Sequence, residues 1–192
     1  MGFLRKRIFQ IAENRGKEIA DKTANLFDWT AGGTVLDFGA GIGWLGYEIA
    51  VRQDLELFAV DIKCYPFTHP NVKPRIYDEG HLPYDDGEFD HAIVAFSLHH
   101  TKNAEGALRE VQRVTRGEIV VLEDRLKSKK EVPFEVVKDV LANCFLDRIT
   151  FEYKTEQEWE NIFESLGLRI KNKITFSTGS LLPMRHYGWL LQ

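Results

Sequence analysis

Acidic side chains stand where a chain could hold a polar ligand by charge and by backbone. Asp37 precedes three closely spaced glycines, Gly39, Gly41 and Gly43, and Asp61 lies 22 residues past the first of them. Glycines in such a turn let the backbone approach a ligand with no Cβ in the way. An acid about 20 residues further on, at the end of the next strand, is placed to accept the hydroxyls of a ribose. Counted from Gly41, the letters also fit G-x-G-x-x-G through Gly43 and Gly46, the pattern of a dinucleotide-binding turn. Two features oppose that frame. The first tight-turn glycine is Gly39, and the sixth position from it is the bulky Trp44. Asp37 would also put a carboxylate beside a diphosphate, a like-charge contact that costs energy in a poorly solvated turn.

A cationic nucleoside without phosphate turns that contact into an attraction, and S-adenosylmethionine, with its ammonium and sulfonium, is such a ligand. Asp61 supports a nucleoside without choosing, because NAD and S-adenosylmethionine both present an adenosine ribose. Further along, Ser97, Leu98, His99 and His100 follow an apolar run, and Glu123 and Asp124 follow another. Acids or histidines at the C-terminal end of a parallel strand are better site candidates than the same residues elsewhere. Two adjacent histidines are a start for a metal site, but no third and fourth ligands stand at a sensible spacing, so no metal is assigned. Each also has a bland reading: a histidine lining or capping a loop, a carboxylate paired with Arg125.

These residues need a scaffold that brings strand ends together. Val35, Leu36 and Phe38 mark a buried strand, Thr34–Phe38, which runs through the glycine turn into a helix over Trp44–Arg52. A second strand, Leu55–Asp61, ends on its acid. Pro66, Pro70 and Pro74 forbid a long helix over Cys64–Pro74. A brief strand over Arg75–Tyr77 leads to Asp78. His91–Ser97 is almost continuously apolar, as a central parallel strand covered on both faces should be. Asn103–Thr115 has helical periodicity, and Glu118–Leu122 is a fifth strand. Pro133 suits the first turn of a helix reaching about Leu146. Thr155-x-x-Glu158 is a capping box for a helix that Gly167 stops. Leu168–Ser177 and Arg185–Leu191 read as an antiparallel hairpin around Gly179–Pro183. At the N-terminus, Phe3–Trp29 predicts one or two amphipathic helices with Gly16 as the break. With its basic start, Arg5, Lys6 and Arg7, the segment reads as a packing helix with a solvated charged face, the alternatives being a lid over the ligand or a patch for anionic lipid. Alternating strands and helices of this kind give a doubly wound α/β fold.

VLDFGAGIG at Val35–Gly43, VDI at Val60–Ile62 and LPYDDGEFDHAIVAFSLHH at Leu82–His100 together resemble the class I S-adenosylmethionine-dependent methyltransferases. The nearest kind is the small single-domain type that acts on small molecules or lipids. The likeness is dense from about Thr34 to Asp124 and weaker beyond. It implies a Rossmann-like, mostly parallel seven-stranded sheet closed by a C-terminal antiparallel hairpin, with helices on both faces. It also implies one domain over 1–192, with a helical extension over 1–30 and the core over 31–192. Asp37, Gly39, Ala40, Gly41 and Gly43 would take the methionine side of the cofactor, and Asp61 with Ile62 the ribose. Asp78 would accept from the adenine amino group and the backbone of Glu79 would meet a ring nitrogen. Phe96 and Ser97 would line the sulfonium end, and the rings of Trp44, Tyr47 and Phe96 are candidates for cation–π contact there. If the acceptor carries a proton that must be removed, the candidate bases are His99, His100, Glu123 and then His81.

Bulk properties set bounds. The 192 residues are most simply one domain, with 44% hydrophobic and 28% charged residues. A net charge of −4 gives no field for holding nucleic acid by its phosphates. Cys64 and Cys144 match no metal-ligand spacing and read as free thiols of a reducing cytoplasm. No apolar run is long enough to span a membrane. The acceptor is expected to be a small or lipid-like molecule, and the chain a monomer or homodimer. Two other functions stay open on the sequence: a protein that binds S-adenosylmethionine or S-adenosylhomocysteine without transfer, and a nicotinamide-linked oxidoreductase using the Gly41 frame.

Overall fold

The computed structural model describes residues 3–29, 32–78, 80–126, 152–179 and 183–192. Its elements run α1 (Phe3–Thr23), β1 (Thr34–Phe38), α2 (Trp44–Gln53), β2 (Glu56–Asp61), β3 (Arg75–Ile76) and β4 (His91–Ala95). A 3-10 turn at Leu98–His100 follows, then α3 (Ala104–Val114), β5 (Ile119–Asp124), α4 (Glu156–Ser165), β6 (Ile170–Thr178) and β7 (Met184–Leu191). The predicted helix from Pro133 to Leu146, together with Cys144, lies outside the described residues.

All seven strands form one sheet in the order β3-β2-β1-β4-β5-β7-β6. The first five are parallel to one another, and β7 pairs antiparallel with both β5 and β6. This is the doubly wound sheet with its closing hairpin. Strand order reverses at β1, whose neighbours are β2 and β4, so the crevice of an open α/β sheet falls at the ends of these three strands.

Alternation along the strands sorts the core into two layers. Val35, Ile93, Val120 and Leu122 pack with Ile19, Leu26 and Ile49 under α1 and α2. Leu36, Val94 and Val121 pack with Leu108, Val111 and Phe163 under α3 and α4. The caps follow the sequence: Asn103 Oδ1 accepts from the Gly106 N–H at 2.9 Å, and Thr155 and Glu158 close a capping box.

The sequence reading of Gly16 as a break needs correction, because α1 runs through it unbroken. The reason is contact. A Cβ on Gly16 would lie 3.1 Å from the backbone carbon and oxygen of Trp44, so glycine lets α1 cross the start of α2. Smaller differences are at strand ends: β4 stops at Ala95, while β5 extends through Glu123 and Asp124. The crossover over Cys64–Pro74 carries no helix, as its prolines require.

Candidate functional site

The turn after β1 is built from three left-handed glycines, with φ of 67° at Gly39, 57° at Gly41 and 73° at Gly43. Two of them also answer to space. A Cβ on Gly39 would stand 2.5 Å from Cβ of Ser97, and one on Gly43 would stand 2.7 Å from Cγ1 of Val72. A Cβ on Gly41 would meet nothing within 4 Å, so that side of the glycine borders open space. The N–H groups of Gly39 and Ala40 both donate to the Val60 carbonyl at 3.0 Å, which ties the turn to the end of β2.

Asp61 completes the turn. Its Oδ2 accepts from the Gly41 N–H at 2.7 Å and its Oδ1 from the Ile62 N–H at 2.7 Å. The sequence placed Asp61 by its distance from Gly39 and missed this second task as the anchor of Gly41. Oδ1 of Asp61 also accepts from the Lys63 N–H at 3.4 Å.

Asp37 is 3% exposed on the α1–α2 face of β1. Its Oδ2 fills the place where a side chain on Gly46 would begin, since a Cβ there would lie 2.0 Å away. The third glycine of the dinucleotide-like pattern therefore makes room for an internal carboxylate. Burial, and then the charge of Asp61, push the Asp37 carboxyl up to about 7. A cation brought beside it would favour the ionised form.

Past the ends of β2 and β3, Ile62, Tyr77, Asp78, His81 and Pro83 line a cleft of about 500 Å³, within the size range of small-molecule sites. Its outer wall is braced by α3. Glu110 Oε2 accepts from the Leu82 N–H at 2.9 Å, while Arg113 donates to the carbonyls of Leu82 and Tyr84 at 3.0 and 2.9 Å. The Arg113 guanidinium beside Glu110 holds that carboxyl below its usual range. His81 is an exposed loop histidine within 3.1 Å of Glu110. Glu79 lies outside the described residues.

At the end of β4, Phe96 adopts a left-handed backbone, φ 53°, and Ser97 Oγ donates to the Phe38 carbonyl at 3.2 Å. Glu123 and His99 form a pair at 2.5 Å, each side chain 1% exposed, and the second Glu123 oxygen accepts from the Leu98 N–H at 3.0 Å. His99 stacks on Tyr153 at 4.8 Å, and the His100 ring lies 4.1 Å from it. These three candidates stand together, with His99 and Glu123 buried in a mutual contact. Trp44 and Tyr47 stand in the first turn of α2, directly after the glycine turn. Both pack on His69, at 4.5 and 3.8 Å, and Trp44 also meets Phe9 of α1 at 5.7 Å. Sequence reasoning missed His186, fully buried on β7 and 2.8 Å from Asp124. Its place in a strand that reads as apolar was the signal available. Among the described residues no group of three or more His, Cys, Asp or Glu is arranged for a metal ion.

The left-handed turn, Asp37, Asp61 and the cleft beyond β3 all lie at or just past the C-terminal ends of β1, β2 and β3. Residues 11–172 match the family described as methyltransferase domain. The demethylmenaquinone methyltransferase of Staphylococcus saprophyticus is 24% identical over 203 residues, covering 96% of this chain and 84% of that protein. The fold is shared with a SAM-dependent methyltransferase from Aquifex aeolicus (TM-score 0.64, 18% identity, 93% of this chain and 97% of that one). It is shared likewise with one from Archaeoglobus fulgidus (TM-score 0.66, 15% identity, 98% of each chain). The chain belongs to the methyltransferase domain family, with the class I fold and S-adenosylmethionine as its methyl donor.

Proposed function

We propose that this protein transfers a methyl group to a small, ring-bearing or lipid-like acceptor, and that the donor binds along these strand ends. The observation that carries the reading is the pairing of Asp37 and Asp61 around the glycine turn. Together they set two carboxylates beside a left-handed backbone, which favours a cation and opposes a diphosphate. Asp37 with Gly39, Ala40, Gly41 and Gly43 takes the amino-acid end of the donor. Asp61 and Ile62 take the ribose, Asp78 and Glu79 the adenine, and Phe96 and Ser97 border the sulfonium. When bound, S-adenosylmethionine supplies a methyl carbon activated by positive sulfur. The chain's own contribution is alignment and exclusion of water, which can be worth about 7–11 kcal/mol.

His99 and Glu123 serve this site as positioning residues. Their buried contact and the Leu98 N–H bond fix the 3-10 turn that follows Ser97. The relatives named for demethylmenaquinone support an acceptor with an aromatic ring. We further read residues 1–192 as one domain, with 1–30 an extension packed on the core over 31–192. The net charge of −4 speaks against nucleic acid as the acceptor. No described helix is long and apolar enough to cross a membrane, and we place the protein in the cytoplasm.

Calorimetry with S-adenosylmethionine, S-adenosylhomocysteine and NAD, followed by transfer of labelled methyl to reduced naphthoquinones and simple phenols, tests the reading. Binding of the first two without NAD is expected, with label appearing in an acceptor. Tight NAD binding that S-adenosylhomocysteine does not displace would sink it.

A further inference from the structure

Asp124 ends β5 on the same face of the sheet as Asp37. Val120 and Leu122 of β5 share a core layer with Val35 of β1, and side chains alternate along each strand. Strand β4 runs between the two, so β1 and β5 stand two strand spacings apart, about 10 Å. Across the sheet, Asp124 pairs with His186 of β7. His186 is fully buried with both ring nitrogens engaged: Nδ1 lies 2.8 Å from Oδ1 of Asp124, and Nε2 lies 2.8 Å from Oγ1 of Thr178. An ionised carboxylate only accepts, so Nδ1 carries the hydrogen of its bond to Asp124, and Nε2 shares a hydrogen bond with the Thr178 hydroxyl. Phe96 and Phe176 pack against the imidazole with centroids 4.9 and 5.0 Å away.

The hydrogen bonds therefore link Thr178 through His186 to Asp124. They end on a carboxylate whose side chain keeps 15% exposure while His186 keeps none. No described residue donates to its second oxygen, Oδ2. An apolar residue of similar shape would fill the His186 site without the cost of burying polar atoms. What the arrangement secures instead is an oriented carboxylate at the C-terminal end of β5. Burial opposes ionisation of Asp124, but the His186 hydrogen bond and the surrounding basic groups, His99 and Arg15 among them, outweigh it and hold the carboxyl below its usual range.

With the nucleoside assigned to Asp61 and Asp78 and the amino-acid tail to Asp37, the rest of the crevice lies over the end of β4 toward β5. Resting on that assignment, we propose that Oδ2 of Asp124 faces the sulfonium end of the donor from the β5 side. There it takes a hydrogen bond from an ammonium or hydroxyl group and so selects a protic acceptor. His186 and Thr178 are its positioning residues.

Calorimetry on the full chain tests this with two probes: S-adenosylhomocysteine, and the donor analogue in which an ammonium-bearing carbon replaces the methylated sulfur. The native chain should prefer the ammonium analogue. Asp124→Asn should keep its affinity for S-adenosylhomocysteine within about twofold and lose about tenfold of that preference, the loss of one charge-assisted hydrogen bond. Thr178→Val should lose part of the preference and Thr178→Ser should retain it, a comparison that stands by itself if Asp124→Asn does not fold. An unchanged preference in folded Asp124→Asn, or Thr178→Val and Thr178→Ser behaving alike, overturns the proposal. A native chain that binds neither probe overturns the assignment of the crevice, and this proposal with it.

Discussion

A Cβ on Gly46 would stand 2.0 Å from Oδ2 of Asp37 and 2.6 Å from its Cγ. Helix α2 can follow the glycine turn so closely only because its third residue has no side chain. In an exposed helix interior, Gly→Ala gains about 1 kcal/mol. Here the sign should reverse. Gly46→Ala should destabilise the fold by about 1–3 kcal/mol through overpacking and weaken S-adenosylhomocysteine binding. Urea unfolding and calorimetry check the two halves separately.

Asp37 should give binding its pH dependence. Its carboxyl is pushed up to about 7, and an ammonium-bearing ligand favours the ionised form. Affinity for S-adenosylhomocysteine should therefore fall by up to about tenfold for each pH unit below 7. Stability of the ligand-free fold should move the other way. A raised carboxyl contributes stability that is full below its ordinary 3.8 and is lost as pH rises through about 7. Asp37→Asn should flatten both profiles relative to the native chain, and parallel profiles would remove Asp37 from the binding site.

Asp61→Ala removes the acceptor of the Gly41 and Ile62 N–H groups along with the ribose contact. Gly41→Val puts a branched side chain into open space at a φ of 57°. Each should weaken cofactor binding by more than about tenfold, since a buried group left unsatisfied or a strained residue costs about 1–3 kcal/mol. Titration calorimetry with S-adenosylhomocysteine measures both.

Glu123→Ala should act on folding. It leaves a buried imidazole and the Leu98 N–H without their carboxylate. Loss of about 3–5 kcal/mol in chemical unfolding is expected, with Glu123→Gln, which can still accept from Leu98, losing less. A variant as stable as the native chain would argue that Glu123 is held for chemistry alone.

Much of this site was readable before any coordinates. The strand Thr34–Phe38, the glycine turn and the acid ending β2 are local features, fixed by short-range periodicity and by glycine chemistry. The capping box at Thr155 is equally local. What the letters hid is contact between distant residues. Gly16 looked like a helix break because its partner, the backbone of Trp44, is remote in sequence. His186 looked like one polar letter in an apolar strand, since only antiparallel pairing sets it opposite Asp124. His99 and Glu123 were legible as residues at strand ends but not as partners of each other. Trp44 and Tyr47 were legible as rings near the turn, but His69, which they pack against, sits in a proline-rich segment with no periodicity to place it.

A bond within the chain, from the Gly41 amide to Asp61 at 2.7 Å, holds the turn in its left-handed shape. The turn is thus already shaped for capture, and closing on a guest asks for little further ordering of the main chain. Association should then run at the rate of ordinary oriented docking, about 10⁵–10⁷ per molar per second for unassisted encounters, with a single kinetic phase in stopped flow and no slow step of loop rearrangement.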